Sequence, residues 1–574
     1  MTIEWNYQPP TQKQILKKET LLQKFDLSPA VCLLLVQRGI TTDEKIKKFF
    51  SPSLRDLHDP FQFPDMSVAV GRLEKALGNK EKILVYGDYD VDGTTAVALV
   101  YKFLEQFCAQ SCLDYYIPNR TDEGCGISIQ GIHYARDNNV NLIIALDCGV
   151  KANNMIAYAN TLGIDVIIGD HHMPGEELPP AVAILDAKRE DSQYPYSHLS
   201  GCGVGFKFMQ AFAKNNGIRF SSLTNLLDLC AVSIASDIVP VTGENRVLMT
   251  CGLKQLNQNP SKGLKATIDI CGLSGKIISM SDIIFKIGPR INASGRMTDG
   301  KEAVDLLLAK DSKSAKEKSA HINQYNDDRR ELDKKTTEEA YSVIEQNASL
   351  NNGKIIVVFD RNWHKGVIGI VASRLTEKYY KPAIVLTESN GLISGSARSV
   401  TGFDIYAAIE STQDLLVNFG GHTFAVGITI KEENLDAFKE RLETFADENM
   451  VEEQMTQTLD IDMELRLSDI DIKLLTDIKK MSPFGPENQK PVFASFNVKD
   501  NGESKRVGKE LEHIRLELID ESTDKAINAI AFGMGEHYDA IKTGKPFDIC
   551  YTIEENSHCS SPNVQLLIKG IRMK

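Results

Sequence analysis

The sequence has no apolar run approaching the ~18 residues needed to span a bilayer, which excludes a helical membrane protein. Its opening residues, MTIEWNYQPPTQKQ, have no basic stretch followed by an apolar one. No secretory leader is read there, and the cytoplasm is the expected compartment. Closely paired cysteines of the C-x-x-C type are also missing. The eleven cysteines are scattered and odd in number, and Cys32, Cys148 and Cys230 sit in apolar runs. They read as small buried hydrophobes, not as a disulfide frame or a structural zinc site. No internal repeat and no low-complexity tract is visible. The net charge, −13, lacks the positive sign expected of a nucleic-acid binder. Binding depends on the local field and not on the sum, so any nucleic-acid surface here must be a local basic groove.

What is present is a long chain of ordinary globular texture. Its 574 residues exceed the ~250–300 at which a single core stops growing, so about three domains are expected. Hydrophobic residues make up 42% and charged residues 25%, which does not fit a disordered chain. Residues 1–65 read as a helical segment closed by Pro52, Pro60 and Pro64. From residue 66 to about 310, apolar strands alternate with helices: ILVYGDYD, NLIIALDCGV, IDVIIGDHH and the shorter AVAILDA. That alternation predicts an α/β fold with a doubly wound parallel sheet. A long polar helix over 311–350 reads as a connector, or else as an exposed helix on one domain. A second, smaller α/β domain is expected over 351–454, with KIIVVFD and KPAIVLTE as strands around the helix GVIGIVASRLTEKYY. Residues 455–574 carry roughly five short alternating strands, which suggests a small β-barrel, with an OB-fold as the expected form.

Chemistry-bearing residues gather at the strand ends of the first domain, where doubly wound sheets place their functional crevice. In GDYDVDG, Asp88, Asp90 and Asp92 stand at alternate positions directly after a buried strand. Like charges a few ångströms apart cannot all stay ionised unless a cation sits among them. Hard carboxylate oxygens suit Mg²⁺ and Mn²⁺. A surface acidic loop is the bland alternative; a calcium EF-hand is not, because the loop follows a strand and no glutamate closes it. Asp147 ends the next strand and could equally cap the following helix. Asp170, His171 and His172 end the third, and the mixed imidazole and carboxylate set favours a partly open Mn²⁺ or Mg²⁺ site over closed zinc. Asp237, in SIASDIVP, is an acid at an apolar helix end and needs a partner if buried. Arg290 and Arg296 in GPRINASGR, and Arg398 in SGSARS, are candidate phosphate ligands, because small neighbours let a phosphate approach and the guanidinium offers a bidentate fork. The alternative is turn arginines in interdomain salt bridges. Ser394, Ser396 and the segment Gly420, Gly421, His422 could add donors to the same phosphate.

In order, DYDVDG, ALDCG, GDHH and SDIVP resemble the DHH phosphoesterase superfamily. That superfamily includes pyrophosphatases, exopolyphosphatases, oligoribonucleases and single-stranded-DNA exonucleases. The forms YGDYDVDGTTA, GPRINASGR, SGSARS and NFGGHTFAVG are similar to its exonuclease branch, from about residue 65 to the C-terminal barrel. HTFAVG stands where HAFAAG is commoner, but His422 is kept.

The resemblance implies a DHH domain, a DHH-associated (DHHA1) substrate-binding domain and an OB-fold. It implies two metal ions, Mn²⁺ or Mg²⁺, held by Asp88, Asp90, Asp92, Asp147, His171 and Asp237. His172 and Asp170 would complete or orient the cage, and Asp147 and Asp237 would bridge; which carboxylate touches which ion is left open. Such a site hydrolyses phosphodiester bonds of single-stranded DNA from the 5′ end, releasing 5′-mononucleotides in recombination and repair. Lys505, Arg506, Lys509 and Arg515 are groove candidates on the barrel, or solvated loop charges. A single-strand-binding protein and a RecQ-type helicase are implied partners, no membrane is, and a monomer is expected. The competing expectations are an oligoribonuclease or cyclic-dinucleotide phosphodiesterase, and, in another class, a non-catalytic single-strand-binding scaffold.

Overall fold

The computed structural model describes residues 4–556 and 563–574; Cys559, one of the cysteines counted above, lies outside them. The chain divides into two compact units, one of residues 54–455 with 485–487, the other of residues 1–53, 456–484 and 488–574.

The larger unit is built first on a five-stranded sheet, all parallel: β1 (Ile83–Gly87), β2 (Leu113–Tyr116), β3 (Leu142–Leu146), β4 (Asp165–Gly169) and β5 (Ala183–Leu185). Their spatial order is β2-β1-β3-β4-β5. Alternate residues feed two separate cores. Ile83, Val85, Ile144, Leu146 and Ile167 face the helices α1 (Val91–Leu104), α4 (Gly201–Asn215) and α5 (Leu227–Ser236). Leu84, Tyr86, Ile143, Ala145 and Ile168 face α2 (Ile129–Asp137) and α3 (Asn153–Thr161). Burial on both faces is why β1 and β3 read as unbroken apolar runs rather than as alternation. The chain reverses its winding between β1 and β3, which opens a crevice at their carboxyl ends.

Strand β2 is missing from the sequence expectation. It is a four-residue edge strand, LDYY, with only Leu113 fully buried, so its apolar signal is weak. The glycine-rich GPRINASGR segment also differs: it is not a turn but the helix α6 (Gly288–Met297), entered through a π-helical stretch, Ile283–Ile287. Its small residues serve close packing. A Cβ on Gly295 would come 2.6 Å from the carbonyl oxygen of Tyr89, in the DYD loop.

The long polar helix α7 (Ser312–Gln346) follows, and it packs against both α6 and α8 (Ile368–Tyr379), as a connector should. The second sheet of this unit has the order β9-β10-β8-β7-β6: β6 (Ile356–Phe359), β7 (Ala383–Ser389), β8 (Leu392–Arg398), β9 (Leu416–His422) and β10 (Ala425–Ile430). Only β6 and β7 run parallel.

The smaller unit is a closed barrel of β11 (Phe493–Asp500), β13 (His513–Asp520), β14 (Thr523–Ala531), β15 (Phe547–Glu555) and β16 (Val564–Met573), with the short β12 (Lys505–Val507) beside β13. Pairing of Lys499 with Ile519 closes it. Phe493, Leu516, Ile549 and Leu566 fill it together with Val31, Leu34, Leu35 and Phe49 from the N-terminal helices. The N-terminal segment also carries a strand, Glu4–Tyr7, that runs parallel to Thr458–Ile461. Residues 1–53 thus fold with the C-terminal barrel, a long-range pairing that no local pattern announces.

Candidate active site

The loops leaving β1, β3 and β4 and the end of α5 converge at the crevice. His171 Nε2 lies 3.1 Å from Asp147 Oδ1, 3.7 Å from Asp237 Oδ2 and 3.8 Å from Asp92 Oδ2. The ligand atoms of Asp147, His171 and His172 fall within 4.8 Å of one another, and so do those of Asp92, His171 and Asp237. His171 is common to both triads. Asp88 and Asp90 belong to neither. Asp88 shares a cavity wall with Asp147, Asp170 and His172, and Asp90 caps α1 by accepting from the Gly93 N–H at 3.0 Å. Of the candidates named from sequence, Asp92, Asp147, His171, His172 and Asp237 thus come within ligating distance of one another in these triads, Asp88 and Asp170 line the adjoining cavity, and Asp90 stands at the start of α1.

Each ligand is held by its own local chemistry. Asp92 is fixed by the N-terminus of α4: the Gly201 and Cys202 N–H groups donate to its carboxylate at 2.6 and 2.8 Å, and Ser233 Oγ donates at 2.7 Å. Gly201 is required there, since a Cβ would stand 2.5 Å from that of Asp147. Asp147 itself adopts φ of 60°, a left-handed conformation that costs a non-glycine residue energy and concentrates at functional sites. Asp170 is committed to structure. Its oxygens accept from Val150 N–H, His171 N–H and His172 Nδ1 at 3.0, 2.7 and 2.7 Å, so it orients the histidine pair and leaves His172 Nε2 free. Lys188 Nζ donates to the His171 carbonyl.

The electrostatics are those of a cage built for cations. Burial, then Asp90, pushes the Asp88 carboxyl up to about 7 and that of Asp92 up to about 6. Burial and Asp92 push Asp237 to about 8, and burial with Asp92 and Asp90 lifts Asp147 well above the usual range. Burial opposes protonation of His172, but its bond to Asp170 outweighs this and raises it to about 9. Burial and the neighbouring His172 lower His171 to about 3, which keeps its imidazole neutral and able to ligate. Asp147 Oδ1 is buried without a hydrogen-bond donor. An orphaned carboxylate oxygen among further acids and a neutral imidazole fits hard divalent cations.

Across the crevice stands the opposite chemistry. A cavity of about 580 Å³ is lined on one side by Asp88, Asp147 and His172, and on the other by Ser394, Ser396, Gly420, Gly421 and His422. The His172 and His422 rings lie parallel, 6.1 Å apart. Arg398 is fixed by donating to Ser396 Oγ and the Ala397 carbonyl at 3.0 and 2.7 Å. Arg296 donates to the Gly366 carbonyl at 3.1 Å and is electrostatically coupled to Arg120, Arg329 and Arg398. None of the three arginines named from sequence lines this cavity: Arg398 reaches its edge through Ser396, Arg296 lines a smaller neighbouring one, and Arg290 is tied to Asn323 and the Lys286 carbonyl.

Sequence reading missed Arg120 and Lys365, both on the cavity wall. Arg120 sits 4.8 Å over the Tyr89 ring, in the loop after the unrecognised strand β2. Without that strand, the loop had no structural context. In the smaller unit, Arg506 pairs with Asp539 at 3.1 Å and lies over Tyr538, Arg515 stands 3.8 Å from Glu517, and Lys505 and Lys509 are exposed. Phe532, 58% exposed and edge-on to His513, is an unshielded aromatic that the sequence did not single out.

Known proteins share this series of domains. The DHH family, N-terminal domain, matches residues 82–234, the DHHA1 domain 352–448 and the RecJ OB domain 461–570. The chain is 34% identical over 570 residues to the single-stranded-DNA-specific exonuclease RecJ of Bacillus subtilis, covering 99% of this chain and 70% of that one. It is 30% identical to the Haemophilus influenzae RecJ over 535 residues, 90% of this chain and 92% of the relative. The crystal structure of RecJ in complex with Mn²⁺ from Thermus thermophilus superimposes with a TM-score of 0.84 at 25% identity, over 100% of this chain and 80% of that one. The chain belongs to the RecJ family of single-stranded-DNA-specific exonucleases.

Proposed function

We propose that this chain hydrolyses the phosphodiester bonds of single-stranded DNA from the 5′ end, releasing 5′-mononucleotides in recombination and repair. The observation that carries the reading is one cavity with two chemistries: a carboxylate and imidazole rim, and lining the same cavity the donors of Arg120, Lys365, Ser394 and Ser396, with Arg398 bonded to Ser396 Oγ.

Asp88, Asp90, Asp92, Asp147, His171, His172 and Asp237 would hold the ions. When bound, a pair of Mn²⁺ or Mg²⁺ ions supplies an activated water and stabilises the leaving oxygen. The chain's own residues do the rest. Asp170 holds the histidine pair in register. Arg120, Ser394, Ser396 and Arg398, with the backbone at Gly420 and Gly421, grip a terminal phosphate and fix the reacting bond over the rim. His422, its ring parallel to that of His172, would contact the same phosphate. The barrel would add grip through Phe532 and through the exposed Lys505 and Lys509.

The chain is expected to work as a monomer in the cytoplasm, with a single-strand-binding protein and a RecQ-type helicase as partners. No helix among the described residues is long and apolar enough to cross a membrane. Digestion of end-labelled single-stranded and duplex DNA, with Mn²⁺, with Mg²⁺ and with chelator, tests the reading. Metal-dependent release of mononucleotides from the 5′ end of single strands is expected. Cleavage of dinucleotides alone would favour the oligoribonuclease alternative.

A further inference from the structure

A second, smaller cavity of about 210 Å³ lies against residues next to the metal rim, and nothing in the reaction described so far uses it. Its walls are Val91, which lies between the rim acids Asp90 and Asp92, and Ser236 and Ile238, which flank Asp237. Asn292, Arg296 and Arg329 are its polar lining on the helical side.

Three polar atoms of this lining are buried with no partner: Ser236 Oγ, the Asn292 side-chain oxygen and Arg329 Nε. Rotating the Asn292 amide exchanges its oxygen for its NH₂ group, so this side chain can also donate. Arg329 projects from the connecting helix α7, and its one assigned bond is Nη2 to Asn326 Oδ1 at 2.8 Å. Asp333, the acid whose charge reaches it, is already taken by Arg374 at 2.7 Å. Among the described residues, neither Arg296 nor Arg329 has a carboxylate within salt-bridge distance. Two half-buried guanidiniums and an unused hydroxyl, gathered without an acid, are a counterion problem opposite in sign to that of the metal rim. An anion resolves it, and a guanidinium that stays charged at any working pH is suited to a phosphate.

We propose that this cavity is a second phosphate subsite, which takes a backbone phosphate on the 3′ side of the bond being cut, with Arg329 as its principal ligand. The proposal rests on the exonuclease reading above. The first cavity would hold the strand's end, the rim the reacting bond, and the second cavity the strand that has yet to be cut. Holding both sides of the bond keeps it aligned while the terminal nucleotide leaves.

The test compares the parent protein with Arg329→Met, which keeps the stem and removes the charge, and with Arg329→Lys. On a 5′-phosphorylated twenty-nucleotide strand, Arg329→Met should raise KM roughly tenfold or more. It should also flatten the slope of log KM against log salt by about 0.7, one phosphate contact on a single strand. On a 5′-phosphorylated dinucleotide, which has no further phosphate, the variant should match the parent; Arg329→Lys should recover part of the salt slope. Replacing the downstream phosphate by a neutral methylphosphonate should impair the parent and cause no additional loss in Arg329→Met. An unchanged KM and salt slope on the long strand would overturn the proposal, as would equal losses on long strand and dinucleotide. A parent that cuts no single-stranded DNA would instead sink the exonuclease reading itself.

Discussion

The rim of the parallel sheet and the arginine wall opposite it are two like-charged clusters in one unit, and they are built by different means. The rim acids stand at the ends of buried strands, fixed by backbone N–H groups and helix ends, with Asp147 held in a left-handed conformation. The arginines, Arg120 and Arg398 at the first cavity and Arg296 and Arg329 lining the second, come from a loop, two helices and a strand, and are tied mainly to carbonyls and side-chain oxygens rather than to acids. Each cluster is tolerable only with counterions the chain does not supply, cations for one and phosphates for the other. The difference teaches that a net charge of −13 says little about nucleic-acid binding here, because the negative charge is concentrated where metals belong.

The sharpest way to break this comparison is to disable the two clusters separately. Asp147→Ala or His171→Ala should reduce cleavage roughly a thousandfold or more, the scale for losing a group that stabilises the transition state. Binding of a labelled single strand, measured by anisotropy, should change little. If binding and cleavage fall together, the rim is not a separate catalytic element. Arg120→Ala or Arg398→Ala should do the converse. KM for a 5′-phosphorylated strand should rise ten- to a hundredfold, with much smaller change for a 5′-hydroxyl strand, as expected for a charged hydrogen bond to phosphate. Equal effects on both strands would remove the terminal phosphate from this wall.

A smaller effect is expected in the barrel. Phe532→Ala should weaken binding of long strands about tenfold, the loss of one stacked base, and leave dinucleotide cleavage intact.

The smallest effect concerns stability, and it sharpens the claim that the rim acids strain the metal-free protein. Their folded pKa values are raised, to about 7 for Asp88 and about 8 for Asp237. The folded state then binds more protons than the unfolded one between about pH 4 and pH 8, so stability falls as pH rises through that window. Metal-free Asp147→Asn should melt a few degrees above the parent near pH 8 and close to it near pH 5, measured by calorimetry in chelator. A variant that melts lower at both values would show that Asp147 is a structural acid.

Much of this was legible in the sequence because the strand ends carry their chemistry in contiguous motifs. GDYDVDG, ALDCG and GDHH each join an apolar run to its ligands, so sheet, rim and metal follow together. The wall was legible only in part. SGSARS announced Arg398, but Arg120 depends on the loop after β2, whose edge position left only Leu113 buried and no apolar run to read. Arg329 lies on a polar helix where one more arginine carries no signal, and its meaning comes from the partners it lacks. The glycines of GPRINASGR pointed to a close approach, but it is that of α6 to the Tyr89 carbonyl rather than a turn around phosphate. The pairing of residues 1–53 with the barrel joins segments more than 400 positions apart, as in Trp5 with Leu459. Periodicity within a window cannot reveal such a partner.

The central claim is that the clustered acids exist to hold divalent cations, and counting those cations tests it most directly. After equilibrium dialysis near pH 8, electron paramagnetic resonance should find about two Mn²⁺ per parent chain, magnetically coupled by their proximity, and fewer in Asp147→Asn. A parent chain that retains no Mn²⁺, with its rim carboxylates titrating as ordinary exposed acids, would contradict it.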